Sequence, residues 1–184
     1  MTSTTCESPA GLQDVVFVQV TPQTWNPTAL GDTTRFTAVA KTGLRRTIPD
    51  LPITWSSDPP GVVFVADDGS ALAYTTGTAQ VRASISGVTG TAAVSIVQIV
   101  ESVVILTYFG NTISAVGDSL HLYVDALDRN AFSVPGTTYT LLSLNPSVAD
   151  ITLNGWVKGV SPGTADIVAM AAAKADTAPV HVLP

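Results

Sequence analysis

The chain has 184 residues, of which 46% are hydrophobic and only 12% charged, with a formal net charge of −6. That length and apolar content build the packed core of one large domain or two small ones and exclude wholesale disorder. The basic residues are scattered, with only Arg45 and Arg46 adjacent, which excludes the basic stripe of a nucleic-acid binder and argues against docking on an anionic membrane.

Residues 1–13, "MTSTTCESPAGLQ", are polar, and a flexible tail is the expectation there. The tail has neither the basic start nor the apolar middle of a signal peptide, so the expectation is either synthesis in the cytosol or a piece cut from a longer secreted protein. Cys6 is the single cysteine. One cysteine makes no internal disulfide and no metal cage. No apolar residues precede it as a lipoprotein signal requires, so an incidental tail thiol is the favoured reading and lipid attachment the alternative. No apolar run approaches the roughly 18 residues of a membrane helix.

From residue 14 onward the pattern has a period of two. "RFTAVA" (35–40) puts Phe36, Ala38 and Ala40 on one face and Arg35, Thr37 and Val39 on the other. "VRASIS" (81–86) alternates Val81, Ala83 and Ile85 with Arg82, Ser84 and Ser86. "LHLYVDA" (120–126) turns Leu120, Leu122, Val124 and Ala126 inward and His121, Tyr123 and Asp125 outward. This alternation marks half-buried strands, and closely spaced turn signals mark a sandwich or barrel of short antiparallel strands. "VAMAAAKA" (168–175) has helix-forming composition, but its counterpart "RASISGVT" does not, so it reads as strand and turn.

That counterpart exists because the sequence repeats. Shifted by 86 residues, Gly31-Asp32 falls on Gly117-Asp118, Pro49 on Pro135, Thr54 on Thr140, Ser57 on Ser143 and Gly69 on Gly155. "GTA" at 77–79 falls on "GTA" at 163–165, and "TAAV" at 91–94 on "TAPV" at 177–180, with no gap called for. The matches gather at the residues that set turns and strand edges. The reading is therefore two domains, 14–99 and 100–184. The junction "VSIVQIVESVVILTY" (94–108) has no Pro, Gly or Ser-rich spacer, from which a stiff, end-to-end rod is expected.

The residues "VTPQTWNPTALGDTTRFTAVAK", "ITWSSDPPGVVFVADDGSALAYTTGTAQVRAS" and "TAAVSIV" resemble the bacterial immunoglobulin-like domain of group 2, the intimin- and invasin-type module. The second copy resembles it through "AVGDSLHLYVDA", "YTLLSLNPSVADITLNG" and "GVSPGTADIVA", and departs where Leu141 stands in place of Trp55. The resemblance covers about 170 residues. It implies an all-β fold of two tandem immunoglobulin-like β-sandwiches of short antiparallel strands, without the inter-sheet disulfide. It also implies a non-catalytic spacer, stalk or binding surface, found in surface proteins, secreted enzymes and phage structural proteins. Such an inference from fold to role is one of association.

The search for chemistry finds little. His121 and His181 each sit at an outward strand position, and Cys6 has no histidine near it in sequence. "ADDGS" (66–70) offers Asp67 and Asp68 beside Gly69, yet calcium needs six or more converging oxygens and Asp-Gly is a strong hairpin signal. Asn154-Gly155 stands at the same point of the second copy and turns the chain without charge, which favours the turn. A calcium at the junction, using Glu101 with loop aspartates, is the alternative. Asp32 and Asp118 each follow a glycine ahead of a strand, where capping a turn is the simpler role. The turn-forming set is Gly31, Asp68, Gly69, Gly77, Gly117, Asn154, Gly155 and Gly163. Both Asn-x-Ser/Thr triplets carry proline in the middle, which blocks glycosylation.

Aromatic residues carry the remaining signal. Trp25 lies between two prolines, where exposure is plausible, and Trp156 would face Leu153 across an Asn-Gly hairpin. Trp55 matches the core tryptophan of the resembled family. Trp25 and Trp156 are the candidate contacts for a partner, a protein or a surface glycan. No cofactor and no enzyme activity are expected. The favoured reading is a structural or adhesive module of a bacterial surface or secreted protein. The alternatives are a virion component, head decoration or tail, and an accessory carbohydrate-binding module of a secreted hydrolase.

Overall fold

The computed structural model describes residues 14–108, 110–152 and 155–184. The chain divides into two compact units, the first ending at Val97 and the second beginning at Gln98. No α-helix occurs among the described residues.

The first unit contains β1 (Phe17–Thr21), β2 (Thr24–Trp25), β3 (Thr33–Arg35), β4 (Thr37–Lys41), β5 (Thr47–Ile48), β6 (Thr54–Asp58), β7 (Val63–Val65), β8 (Ser70–Ala73), β9 (Gly77–Ile85) and β10 (Val88–Ile96). One sheet runs β2-β10-β9-β6, with β2 parallel to β10 and the other pairs antiparallel. The facing layer is made of β1-β4-β5 and β3-β8-β7. These two ladders are one surface, because β3 and β4 are a single stretch of chain interrupted only at Phe36. The order is that of a constant-type immunoglobulin sandwich: first, second, fifth and fourth strands against third, sixth and seventh.

The alternation seen in the sequence becomes the core. Inward positions Val81, Ala83 and Ile85 of β9 and Ala92, Val94 and Ile96 of β10 are buried, and the residues between them face water. Phe36 lies at the centre, with the Trp25 ring edge-on at 6.2 Å and the Trp55 ring tilted at 6.3 Å. Trp25 is thus half-buried against the core rather than exposed between its prolines. The chain bends at Pro22 and Gln23, and the short parallel pairing of Trp25 with Val94 that follows sets the indole against the core.

The second unit repeats the plan with β11 (Ser102–Leu106), β12 (Thr112–Ile113), β13 (Ser119–His121), β14 (Tyr123–Leu127), β15 (Thr140–Ser143), β16 (Ala149–Ile151), β17 (Trp156–Gly159), β18 (Gly163–Ala171) and β19 (Lys174–Val182). Its sheets run β12-β19-β18-β15 against β11-β14 with β13-β17-β16. Even the small strand β5 has its trace, a single bridge between Leu127 and Ser133. "VAMAAAKA" is strand, then a turn at Ala172 and Ala173, then strand.

The copies depart in one place. Val18 pairs with Ala40 in β1-β4, and Val103 with Ala126 in β11-β14. Ala40 and Ala126 are 86 residues apart, but Val18 and Val103 are 85 apart. The gapless alignment therefore fails at the start of the second copy, which carries one more residue between its first two strands. That residue falls in "TYFGN" (107–111); Phe109 is outside the described residues.

The Asp-Gly turn also differs from the two-residue hairpin read from the sequence. Ala66 donates its N–H to the carbonyl of Ser70 and accepts from the N–H of Gly69, at 2.8 and 2.9 Å. Asp67 and Asp68 are therefore the centre of the turn, and Gly69 is the left-handed residue after it, at φ +83°. This is the three-residue loop with a glycine bulge. Asp68 closes it by accepting from the N–H and the hydroxyl of Ser70, each at 2.9 Å. In the second copy, Thr152 and Trp156 make the equivalent bond at 2.8 Å and Gly155 has φ +81°. Asn154 and Leu153 lie outside the described residues.

The backbone and hydroxyl bonds from Ser70, and then the Arg35 guanidinium 3.8 Å away, hold the Asp68 carboxyl below its ordinary value. A carboxyl whose pKa falls on folding stabilises the fold above its unfolded value, about 3.9, and that help is lost as pH drops through the lower folded value. Asp68→Asn is therefore expected to lower the melting temperature slightly at pH 7, by a gap that narrows as pH falls below about 3.9. Melts of the two proteins from pH 7 down to pH 2.5 check this, and a gap that does not narrow toward low pH would contradict the assignment.

Candidate functional site

The second unit carries a row of aromatic rings on the outer face of β14, β13 and β17. The cause is the strand period: in "LHLYVDA" the leucines turn into the core, so His121 and Tyr123 must turn out. The β13-β17 register sets His121 directly opposite Trp156. Their rings meet edge to face at 5.0 Å, and His121 meets Tyr123 at 4.4 Å. Tyr108, from the connection with the extra residue, packs edge-on against Tyr123 at 5.6 Å. Trp156 remains 46% exposed and Tyr108 70%.

These side chains are held from below. Gly155 brings its carbonyl to the N–H of Leu122, between His121 and Tyr123, at 2.9 Å. The carbonyl of Trp156 accepts from both the N–H and the hydroxyl of Thr152. Ser119 and Asp150 flank Lys158 in the next row, so the patch has a polar edge with one cation and one carboxylate. The same positions of the first copy hold Arg35, Thr37 and Ser70, with no ring among them.

The other expected residues lie elsewhere. Trp25 is packed under the first unit's sheet. Gly31 and Gly117 sit at positive φ in turns ahead of β3 and β13, and Gly77 and Gly163 open β9 and β18. The Asp32 carboxylate accepts from the N–H groups of Thr28 and Ala29, each at 3.3 Å, closing the turn before β3. Glu101 lies 3.0 Å from the Lys174 ammonium. His181 shares a 2.9 Å hydrogen bond with Thr164. Cys6 lies outside the described residues.

Sequence reasoning missed two things. The first is that His121, Tyr123 and Tyr108 join Trp156; the strand period placed two of them outward, but only the β13-β17 register shows that they meet. The second is "GVSPG" (159–163), which has the G-x-S-x-G spacing of a nucleophile elbow. Such an elbow joins a strand to a helix. Here Gly163 opens a strand, and the Ser161 hydroxyl donates to the carbonyl of Ser147 at 2.8 Å.

Among the described residues no group of three or more His, Cys, Asp or Glu side chains could hold a metal ion, and no helix is long and apolar enough to cross a membrane. A shallow groove on the outer face of the first unit's β6-β9-β10 sheet is lined by Asn26, Gln80 and the Arg82–Asp58 ion pair, closed at 2.6 Å. It offers a polar lining and no nucleophile with a base beside it.

No protein-family model matches the sequence, and a comparison with curated proteins finds no match. Among solved structures, domains 4 and 5 of the S-layer protein SbsC are 21% identical, with a TM-score of 0.43, covering 94% of this chain and 100% of that one. The Yersinia pseudotuberculosis adhesin InvE is 13% identical, with a TM-score of 0.41, covering 96% of this chain and 62% of that one. The Escherichia coli adhesin FdeC is 16% identical, with a TM-score of 0.43, covering 91% and 63%. The chain thus spans less than two thirds of the InvE and FdeC chains, and none of these likenesses is close enough to carry a function.

Proposed function

We propose that the chain is a non-catalytic pair of immunoglobulin-like modules, of the intimin and invasin type, in a bacterial surface or secreted protein, and that its second module binds a protein partner through the aromatic face. The location rests on the sequence resemblance. The binding surface rests on one observation: two copies of one fold differ in that Tyr108, Tyr123, His121 and Trp156 form a connected row in the second alone, with the half-buried His121 ring between exposed rings. Core packing does not need such a row, because the first module folds the same way with Arg35, Thr37 and Ser70 in those places. Large rings left partly in water, rimmed by Lys158 and Asp150, have the make-up of a contact surface.

The ring geometry favours protein over glycan. Stacked sugars require flat, coplanar aromatic platforms, whereas these rings meet at 60–76°. Alternating edges and faces leave clefts that side chains enter.

The labelled chain, applied to arrays of extracellular-matrix proteins and of cell-surface glycans, tests the reading. Specific binding to a protein is expected, falling at least tenfold in the double variant Trp156→Ser, Tyr123→Thr, which installs the first copy's residues on an exposed face and leaves the melting temperature within a few degrees. Binding that survives the double variant places the contact elsewhere. Binding confined to glycans favours the carbohydrate-binding alternative.

A further inference from the structure

Beside the aromatic row, on the free edge of β14, the second unit has a polar cleft. Its origin is local. After β14 the chain turns back, makes a single bridge from Ser133 to Leu127, and gives the Val134 N–H to the carbonyl of Ala126 at 2.7 Å. Pro135 has no N–H with which to extend that pairing, and Gly136, at φ +75°, turns the chain away. The Thr137 hydroxyl donates to the carbonyl of Val134 at 2.8 Å and holds the departing turn. The edge of β14 at Val124 and Asp125 is left uncovered, and a cleft of about 170 Å³ opens there, lined by Asp125, Ser133, Pro135, Thr137 and Tyr139.

The chemistry of the cleft belongs to this copy. The bridge from Leu127 to Ser133 is the counterpart of the Lys41–Thr47 pair of β4 and β5, so the 86-residue shift holds through this segment. Asp125, Thr137 and Tyr139 stand where the first copy has Val39, Leu51 and Ile53. In the first unit Leu51 and Ile53 pack against the core. The second unit has exchanged three apolar side chains for a carboxylate and two hydroxyls.

We infer that this cleft is an ammonium-binding subsite, and that it receives a lysine side chain of the protein that docks on the aromatic face. The lysine's origin in a protein partner rests on the proposed function; the ammonium chemistry rests on the cleft alone. The first argument is the inventory of donors and acceptors. Asp125 is half-buried, and among the described residues no cation pairs with it. The Ser133 hydroxyl gives its hydrogen to one oxygen of that carboxylate, at 2.6 Å, and the Thr137 hydroxyl gives its own to Val134. Lone pairs are what these groups still offer, so an entering group must bring donors. An ammonium brings three and accepts none.

The second argument separates lysine from arginine. A guanidinium binds a carboxylate best as a flat fork that uses both oxygens. Ser133 already occupies one of them, which leaves a point contact suited to a compact ammonium. Size is the third. The volume is below the roughly 300 Å³ at which small-molecule and cofactor sites begin, and it suits one side chain. Position is the fourth. Asp125 follows Tyr123 by two residues on the same outward face of β14, about 7 Å along the strand. A partner seated on the aromatic row reaches the cleft with one long side chain.

Amide NMR titration of the full chain with n-butylammonium chloride, a lysine side chain without its backbone, tests the subsite. Saturable shifts are expected at Asp125, Ser133, Gly136 and Thr137, with a Kd on the order of 10 mM for so small a ligand. n-Butanol, the neutral isostere, and n-butylguanidinium are each expected to bind at least several-fold more weakly. Asp125→Asn, which keeps the shape and an acceptor for Ser133, is expected to weaken n-butylammonium at least tenfold. Asp125→Val, which installs the first copy's residue, is the companion variant, and melts of both confirm the fold. Shifts that do not saturate, equal binding of n-butanol, tighter binding of n-butylguanidinium, or an undiminished affinity in Asp125→Asn each overturn the inference. So does potassium chloride at the same ionic strength, if it moves the same amides equally. The double variant Trp156→Ser, Tyr123→Thr is expected to bind n-butylammonium as the wild type does. Failure of the aromatic face on the protein arrays and failure of the cleft in this titration are therefore read separately. On those arrays Asp125→Asn is expected to bind the captured protein at least tenfold less than the wild type, and equal binding overturns the lysine contact.

Discussion

Gly69→Ala is expected to destabilise the first unit by about 3–5 kcal/mol and to lower its melting temperature by well over 10 °C. Two effects combine. At φ +83° an L-residue sits in the left-handed region, which costs about 1–2 kcal/mol. In addition, a β-carbon on Gly69 would lie 2.2 Å from the carbonyl oxygen of Phe36, a backbone atom that cannot swing aside. Relieving that clash separates β8 from the β3–β4 strand and breaks the 2.8 Å bond from the Phe36 N–H to the Gly69 carbonyl, worth about 1 kcal/mol. For a unit of this size each kcal/mol moves the midpoint by roughly 4–8 °C. Gly155→Ala, with the corresponding approach at 2.8 Å to the carbonyl of Leu122, is expected to follow with a smaller loss. Gly61→Ala is the control, since its added carbon meets nothing within 4 Å. Thermal melts followed by circular dichroism decide the matter, and a Gly69→Ala midpoint no lower than that of Gly61→Ala would contradict this account.

The same glycines show what the sequence made legible and what it withheld. Gly69 and Gly155 announced a turn, and the 86-residue shift announced that the turn occurs twice. The demand for glycine comes from elsewhere in the chain, from the carbonyls of Phe36 and Leu122, which no local pattern reveals. The strand period placed His121 and Tyr123 outward, because alternation is a property of one strand. That His121 faces Trp156 is a property of two strands and their register. The extra residue near Tyr108 is hidden for a related reason: sliding the chain against itself rewards matches at glycine and proline, and the flanking strand ends offer few. Trp25 was misread as exposed because its prolines suggested a loop, whereas two residues of parallel pairing with β10 suffice to bury much of the ring.

Phe36→Ala carries the other large expected effect, a loss of about 3–5 kcal/mol from the first unit. Phe36 is fully buried and is the ring on which both Trp25 and Trp55 rest. Truncation removes its transfer free energy and leaves a void between two indoles that are anchored on different strands, β2 and β6, and so cannot close together. The second copy solves the same space with different residues: Leu122, Leu141 and Asn111 stand where Phe36, Trp55 and Trp25 stand in the first. All three positions are smaller in the second copy, so its core is packed on a different plan and the leucine there does not fit a space shaped by two indoles. Phe36→Leu alone is therefore expected to be destabilising, by about 1–2 kcal/mol, although leucine is the residue the other copy uses. Denaturant titration followed by tryptophan fluorescence measures both losses, since Trp25 and Trp55 report on this core and the variant Trp156→Phe removes the one indole that does not. A Phe36→Ala protein within 1 kcal/mol of wild type would mean that the two indoles collapse into the space, and that the core is held by the sheets rather than by the three rings.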